Sequence, residues 1–254
     1  MKNCVFAAVV LIAILTYSPA MSAGTGGGTY NWTGFYAGVN VGGAVNDSKY
    51  TLSPSGNFLG QQFVGDNPLR GDAGDFESGA FTGGGQIGYN YQYGCFIFGV
   101  ETDFNYNGVD ETQIVNRPLA SPLLGQFVHT VSQSFDYFGT VRGRVGFTPF
   151  DRFMLYGTGG FAYGDVSSHS NLLFTSGGDQ YLGSLSGMQT GWAAGGGGEY
   201  AICKCVTVKV EYLFVDLGSK SYTYGNQLFP GFTYTTQLDT AEHVIRVGLN
   251  YKFF

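Results

Sequence analysis

The sequence predicts an all-β chain whose eight antiparallel strands close into an up-and-down barrel, and three observations lead to this fold class. Apolar and polar residues alternate with period two in eight segments. The connections between these segments are short and long in turn. Charged residues make up only 12% of the 254 residues while aromatic residues make up 17%, which favours an apolar environment.

The N-terminal residues form a separate targeting segment. Lys2 precedes an apolar run from Val5 to Leu15 that is too short to span a bilayer as a helix. This order is typical of a secretory signal peptide, with cleavage expected after Ala20 or Ala23. The predicted organisation is therefore a signal peptide over 1–23, a short glycine-rich segment over 24–31 and a barrel over 32–254.

Four alternating segments build the first half of the predicted barrel. The first strand covers 32–45, where one face carries Phe35, Ala37, Val39 and Val41. The second covers 79–92, where one face carries Phe81, Ile87, Tyr89 and Tyr91. The third covers 96–107, where Phe96, Phe98, Val100 and Phe104 oppose Glu101 and Asp103. The fourth covers 134–147, where Tyr137, Val141, Val145 and Phe147 oppose Arg142 and Arg144.

Four further segments complete the ring. The fifth strand covers 153–164 and begins at Phe153. The sixth covers 188–201, where Trp192 and Tyr200 lie on either side of the glycine run 195–198 and Glu199 lies on the polar face. The seventh covers 206–217, where Val206, Val208, Val210, Tyr212 and Phe214 oppose Lys209 and Glu211. The eighth covers 240–253, where Ile245, Val247, Leu249, Tyr251 and Phe253 oppose Arg246, Asn250 and Lys252.

A glycine motif in the second strand resembles a nucleotide-binding loop. Gly83, Gly85 and Gly88 in TGGGQIG fit the G-x-G-x-x-G pattern. That pattern binds phosphates only where a helix begins after it, and the residues that follow Gly88 continue the alternation of a strand. The glycines are therefore expected to permit close packing inside a small barrel.

The connections suggest that the barrel spans a membrane. Residues 93–95, 148–152 and 202–205 are short turns, whereas 46–78, 108–133, 165–187 and 218–239 are long loops. An even number of strands with this alternation is the plan of a bacterial outer-membrane barrel, with short periplasmic turns and long extracellular loops. Closure satisfies every backbone group in lipid, which offers no hydrogen bonds.

The charged face of the strands must point inward in such a barrel, since Lys or Arg at the lipid midplane costs about 2–4 kcal/mol. Eight strands leave an interior just wide enough for side chains, so we expect a mixed-sign network that fills the lumen. A solute path lined by the same residues is the functional alternative. The predicted network comprises Glu101, Asp103, Arg142, Arg144, Glu199, Lys209, Glu211, Arg246 and Lys252.

Aromatic residues cluster where interfacial girdles are expected. Those near the short turns are Phe35, Tyr89, Tyr91, Phe147, Phe153, Tyr200, Tyr251 and Phe253. Those near the long loops are Trp192, Tyr212 and Phe214.

Other reactive residues give no strong site. Cys4 leaves with the signal peptide, and Cys95, Cys203 and Cys205 are expected to be unpaired or locally paired turn residues. No cofactor, metal or catalytic site is predicted, because His129, His169 and His243 lie at no spacing that singles out a triad, the first two in long loops. Acidic loop residues are solvated or bridge divalent cations to lipopolysaccharide: Asp66, Asp72, Asp75, Glu77, Asp110 and Glu111.

Six ordered blocks resemble the alphaproteobacterial outer-membrane immunogenic barrel family, often labelled porin-like. They are WTGFYAGVNVGG at 32–43, FIFGVETDFNY at 96–106, YFGTVRGRVGF at 137–147, LYGTGGFAYG at 155–164, VKVEYLFVDLGS at 208–219 and HVIRVGLNYKF at 243–253. The resemblance implies an outer-membrane barrel with a role in envelope integrity or host contact. It also implies that the barrel-assembly machinery reads the final aromatic residues Tyr251 and Phe253, although Phe254 and the turn ICKC depart from the family pattern.

The sequence therefore predicts a non-enzymatic outer-membrane surface protein. Its expected partners are outer-membrane lipid, lipopolysaccharide and the assembly machinery, and its oligomeric state is not determined by the sequence. Nucleic acid is not an expected partner, because loss of Lys2 takes the formal net charge from −6 to −7. The alternative functions are a narrow porin for small solutes and a lipid-modifying barrel enzyme.

Overall fold

The computed structural model describes residues 30–56, 72–76, 78–118, 126–175, 179–226 and 231–253. The predicted signal peptide over 1–23 and its cleavage sites, residues 24–29, Asp66, Glu77 and Phe254 lie outside these residues. No helix in the described ranges is long and apolar enough to cross a membrane. The ten strands are β1 (Gly34–Asn46), β2 (Ser48–Gly56), β3 (Asp72–Phe76), β4 (Gly79–Tyr93), β5 (Phe96–Pro118), β6 (Gln126–Phe150), β7 (Phe153–Phe174), β8 (Asp179–Ala201), β9 (Val206–Gly225) and β10 (Phe232–Lys252).

Eight of these strands form a closed antiparallel ring in the order β1, β4, β5, β6, β7, β8, β9 and β10. The ring closes where β10 pairs with β1, from Tyr36 opposite Lys252 to Asn46 opposite Glu242. Strand β2 adds to the other half of the same edge of β10, and β3 pairs with β2. The predicted eight-stranded antiparallel barrel is confirmed, and β2 and β3 are additional strands outside the ring.

The long connections predicted between the barrel strands contain much more strand than the sequence indicated. Strands β5 to β10 continue well beyond the predicted strand ends, so most of 108–133, 165–187 and 218–239 is strand. The range 46–78 likewise contains β2 and β3. These segments keep the hydrogen-bond ladders of the barrel strands and extend them past the ring.

In the ring itself, apolar side chains point outward and charged ones point inward. Phe98, Val141 and Val247 are 49%, 54% and 45% exposed, whereas Glu101 and Arg142 are buried. A water-soluble eight-stranded cup would show the opposite arrangement. The outward face of the ring is therefore the face that suits lipid.

The strand extensions form a second layer, which we call the cap. Strands β8 and β9 stop pairing at Trp192 and Asp216, so the extended strands divide into two four-stranded sheets. One sheet consists of β5 to β8, and the other consists of β9, β10, β2 and β3. Their facing sides share an apolar core of Leu52, Phe127, Leu172, Tyr181, Tyr224 and Tyr234.

The sidedness of the chain inverts between ring and cap. On β6 in the cap, Phe127, Val131 and Phe135 are buried inside while Asp136 is exposed outside. Irregularities in strand pairing mark the change, between Tyr106 and Val109, between Phe135 and Tyr137, and between Thr240 and Ala241. A β-bulge re-aims the side chains that follow it. The cap therefore has the pattern of a sandwich surrounded by water.

The glycine motif TGGGQIG lies inside β4, and the strand continues after it without a helix. Gly88 faces the lumen, and a Cβ added there would lie 2.3 Å from the hydroxyl oxygen of Tyr36. The glycine is needed because the Tyr36 ring crosses this position to reach the charged residues of the lumen.

Candidate functional site

The centre of the lumen is an ion-pair network built around Arg142 on β6. Its Nη2 lies 2.7 Å from Glu101 Oε1 and 2.7 Å from Asp103 Oδ2, and its Nη1 lies 3.2 Å from Glu211 Oε1. Period-two alternation on β5, β6 and β9 aims all of these groups into the ring. One guanidinium group therefore joins three strands.

Three further bases complete the network. Arg144 Nη2 lies 2.8 Å from Glu199 Oε2, and Lys209 Nζ lies 2.8 Å from Glu101 Oε1. Arg246 Nη2 lies 2.8 Å from Asp103 Oδ2 and 2.6 Å from Glu211 Oε2. The four bases and four acids balance in formal charge, which limits the cost of burying them.

The structure places Lys252 outside this network, which corrects the sequence-based list. Its Nζ lies 4.8 Å from the centroid of the Tyr30 ring and donates a hydrogen bond to the Asn31 carbonyl oxygen. Lys252 comes last on β10, at the short-turn end of the ring, where its long side chain reaches the N-terminal segment instead of the lumen centre.

Two tyrosines belong to the network and were not predicted from the sequence. The Tyr36 hydroxyl donates to Glu101 Oε2 at 2.7 Å, and the Tyr156 hydroxyl donates to Glu211 Oε1 at 3.0 Å. The guanidinium carbon of Arg144 also lies 4.0 Å from the centroid of the Tyr156 ring. Both tyrosines occupy positions of the period-two pattern that face the lumen on β1 and β7, and this position was the sequence signal that could have identified them.

Apolar layers lie on both sides of the network. Toward the cap, Val244 and Leu213 are the next inward residues after Arg246 and Glu211, and they belong to a buried cluster with Phe138. Toward the short turns, Trp32, Ile97, Met154, Tyr156 and Ala201 form another buried cluster. The charged residues are therefore enclosed along the barrel axis as well as around it.

His129 and His169 lie on strands and not in loops, which corrects the expectation from the sequence. His129 is buried in the cap on β6, with Nδ1 3.4 Å from Asp72 Oδ2 and Nε2 2.9 Å from Ser170 Oγ. His169 is exposed on β7. His243 lies on the outer face of β10, with Nδ1 2.7 Å from the Tyr212 hydroxyl.

The order of acid, imidazole and hydroxyl around His129 resembles a hydrolase triad, but its surroundings differ. Ser170 Oγ lies 2.6 Å from the Tyr224 hydroxyl, inside the cap core, and the Tyr224 hydroxyl also lies 3.0 Å from Thr236 Oγ1. Burial raises the pKa of Tyr224 to about 12, although the hydrogen bonds with Ser170 and Thr236 act in the opposite direction. The serine hydroxyl is thus part of a buried link between the two sheets.

The predicted acidic loop residues divide into two groups. Asp72 is buried on β3, where it accepts a hydrogen bond from the Tyr50 hydroxyl at 3.1 Å, so it is not a solvated loop residue. Asp75 and Asp110 are exposed and Glu111 is half-buried, and all three lie on strands. These three remain available to the surface of the cap.

The cysteines and girdle aromatics lie at the ends of the ring. Cys95, Cys203 and Cys205 are free thiols at the short-turn end. At the same end the ring centroids of Phe35 and Tyr89 are 4.7 Å apart, and those of Tyr251 and Phe253 are 5.3 Å apart. At the cap end the centroids of Trp192 and Phe214 are 5.4 Å apart.

Comparison with known proteins places this architecture among bacterial surface barrels. A family model described as "Outer membrane protein beta-barrel domain" matches residues 5–253. The 31 kDa outer-membrane immunogenic protein of Brucella melitensis is 36% identical over 233 residues, which cover 89% of this chain and 85% of that protein. The 22 kDa outer membrane protein of Rhizobium leguminosarum is 30% identical over 207 residues, covering 80% and 81% of the two chains.

Solved structures share the fold at low sequence identity. The outer membrane protein OprG from Pseudomonas aeruginosa is similar with a TM-score of 0.54 and 14% identity, covering 89% of this chain and 98% of that one. The outer membrane protease OmpT from Escherichia coli has a TM-score of 0.50 and 11% identity, covering 91% and 100%. At these identities the likeness concerns the barrel fold alone.

Proposed function

The chain belongs to the outer-membrane β-barrel family, and from this premise we propose that it is a non-enzymatic surface protein that contributes to envelope integrity and to surface or host contact. It resides in the outer membrane of a Gram-negative bacterium. In this proposal the ring anchors the protein in lipid, the sealed lumen keeps the membrane tight, and the cap faces the outside.

The observation that carries the proposal is the filled lumen. Arg142 and Lys209 are 1% and 0% exposed, and apolar clusters enclose the charged network at both ends. A solute path needs polar groups that water can reach, whereas these charged groups are buried and paired with one another. This arrangement supports a structural role for the charges over the narrow-porin alternative.

Planar-bilayer recording of the refolded mature chain tests the sealed lumen. We expect no stepwise conductance, while an open porin inserted under the same conditions supplies the positive control. Insertion of the protein is verified by different gel mobility of unboiled and boiled samples. Regular conductance steps from the folded protein would refute the sealed lumen and favour the porin.

The absence of enzymatic activity is part of the proposal. A nucleophile needs a base within reach and room for a substrate. Ser170 is buried and its hydroxyl is shared with Tyr224 and His129, so the arrangement favours cap cohesion over hydrolysis. Hydrolysis of lipid or peptide substrates by the purified barrel, lost in Ser170→Ala, would contradict this.

A strain that lacks the gene separates the two proposed roles. We expect the deletion to increase sensitivity to detergent, because a barrel that bridges neighbouring lipid and lipopolysaccharide is lost. The native chain should restore both resistance and adhesion. Phe127→Ala, which weakens the cap core, should restore resistance but reduce adhesion to host surfaces. Equal loss of both properties would contradict the division of roles.

We also propose that the barrel-assembly machinery recognises the end of β10. Tyr251 and Phe253 lie on its outward face, with Tyr251 about half exposed. Replacing both with alanine should lower the fraction of heat-modifiable barrel in the outer membrane. Replacing Leu249, another outward residue of β10, is the matched control. An unchanged folded fraction in the double variant would remove this assignment.

A further inference from the structure

A second buried acid lies apart from the charge network, at the junction between ring and cap. Glu242 on β10 is 0% exposed and faces the lumen opposite Asn46 on β1. Its Oε1 accepts a hydrogen bond from Asn107 Nδ2 at 2.7 Å. Arg246 lies on the same inward face, two residues beyond Val244, and already forms ion pairs with Asp103 and Glu211. Among the described residues, no Lys, Arg or His lies within ion-pairing distance of Glu242.

Several buried polar atoms around this carboxylate have no hydrogen-bond partner within the described part of the chain. Glu242 Oε2 is one of them, and Asn107 Oδ1 is another. Thr240 Oγ1 lies two residues earlier on the same inward face of β10. Ser78 Oγ is also unpartnered, and the Ser78 carbonyl oxygen accepts a hydrogen bond from the Asn46 backbone N–H. Asn46 Nδ2 is a further atom without a partner. These atoms belong to β10, β1 and β5 and to the residue just before β4, and these four strands follow one another around the ring.

The chemistry of the cluster is that of a cation site. An ionised carboxylate that is buried without a positive partner costs several kcal/mol, and neutral hydrogen bonds offset only part of that cost. Carboxylate, amide and hydroxyl oxygens are the ligands of hard cations. The cluster offers one carboxylate, one amide oxygen and two hydroxyl oxygens, and Asn46 Nδ2 adds a buried donor without a partner.

We propose that Glu242, Asn107, Thr240 and Ser78 bind a single Ca²⁺ ion at the junction of ring and cap. Ca²⁺ accepts mixed oxygen ligands in flexible geometry, whereas Mg²⁺ demands a near-ideal octahedron and gives up its waters reluctantly. With one carboxylate the affinity is expected at the weak end of protein calcium sites, about 10⁻⁴–10⁻³ M. The ion would lie beside the closing seam of the ring, since Glu242 is paired with Asn46 at the end of the contact between β10 and β1.

The test uses the complete mature chain, refolded without lipopolysaccharide in a non-ionic detergent. Because the cluster is buried, the cation is supplied during refolding, either as CaCl₂ or as MgCl₂ or NaCl at matched ionic strength. We expect one bound calcium per chain and a higher thermal midpoint with Ca²⁺ than with the other salts. Equal stabilisation by Na⁺ or Mg²⁺ would overturn the calcium assignment.

Two variants locate the site. Glu242→Gln removes the only carboxylate among the proposed ligands. It should lower the calcium affinity by at least the roughly 10–100-fold that is typical when a residue hydrogen-bonded to a metal ligand is replaced. Asp110→Asn is the matched control, because Asp110 is an exposed acid near the junction and its loss should leave the affinity unchanged. Binding that persists in Glu242→Gln but falls in Asp110→Asn would place the ion on the surface and refute the proposal.

A gain-of-function variant covers the case in which Glu242→Gln fails to fold. Asn107→Asp adds a second carboxylate to the cluster, so refolding should depend more strongly on Ca²⁺ than in the native chain. If Asn107→Asp is equally unstable with and without Ca²⁺, no cation enters the cluster. Calcium-independent stability of the native chain would then indicate a carboxyl group that carries a proton.

Discussion

Replacement of Arg142 by Gln is the most direct test of how the lumen stabilises the barrel. Arg142 contacts Glu101, Asp103 and Glu211, whereas Arg144 contacts Glu101 and Glu199. Removing one partner from a buried ion pair costs about 3–5 kcal/mol, because the remaining charge stays buried without compensation. The balanced network would be left with one excess negative charge shared by three carboxylates. We therefore expect Arg142→Gln to lower the free energy of unfolding by about 3–5 kcal/mol.

The assay is urea-induced unfolding of the refolded barrel in detergent, followed by tryptophan fluorescence and by gel mobility. Arg152→Gln is the control, because Arg152 is exposed in a short turn and its loss should change stability by about 0.5 kcal/mol or less. The double variant Arg142→Gln with Asp103→Asn restores charge balance. Its effect should fall short of the sum of the single effects by about 0.5–3 kcal/mol. Strict additivity, or a loss below 1 kcal/mol in Arg142→Gln, would refute the reasoning.

Three further predictions address the glycines, the cap core and a buried phenol. Gly160→Ala places a Cβ 2.2 Å from the Val141 carbonyl oxygen and should lower the free energy of unfolding by about 1–3 kcal/mol. In the control Gly157→Ala the nearest atom to the new Cβ is 3.9 Å away, so this variant should be neutral. Equal urea midpoints for the two variants would contradict this prediction. Phe127→Ala should remove about 3–5 kcal/mol from the cap, so limited proteolysis should cut the cap while the ring stays protected, and a uniformly protected chain would show that the core is not needed. Burial raises the pKa of Tyr224 from 10.0 to about 12, so the contribution of the neutral phenol to stability is complete below pH 10 and is lost as the pH rises through about 12. The loss of stability at alkaline pH should be smaller in Tyr224→Phe. Identical alkaline unfolding curves for the two proteins would contradict this prediction.

The ring was predictable because lipid imposes a strict rule on each strand. Side chains alternate across a strand, so Glu101, Arg142 and Glu211 could be assigned to the lumen from parity alone. The tyrosines Tyr36 and Tyr156 obey the same parity. They were not recognised because an aromatic residue gives no sign, by its type, of whether it packs against lipid or against a guanidinium group.

The cap could not be predicted in the same way, because its strands have the pattern of a sheet in water. Their apolar side chains point inward and their polar side chains point outward, which is the reverse of the ring. Phe135 and Phe138 both point inward although they are three positions apart, since an irregularity at Asp136 separates them. This break in parity falls inside the predicted strand 134–147, and polar outward residues before it, such as Ser132, made 108–133 resemble a loop. Asp72 and His129 were misplaced for the same reason, because their pairing depends on contact between β3 and β6.

Six strands run without interruption from the lipid-facing ring into the cap, and in the proposed orientation this continuity determines which surface an external molecule contacts. The outward face of 126–135 presents side chains at the fixed spacing of a sheet, with the main chain already committed to neighbouring strands. A free peptide of the same residues lacks that spacing. An antibody selected against the intact protein at this face should therefore lose its target when the sample is boiled, and antibodies raised against the peptide should bind the living cell poorly.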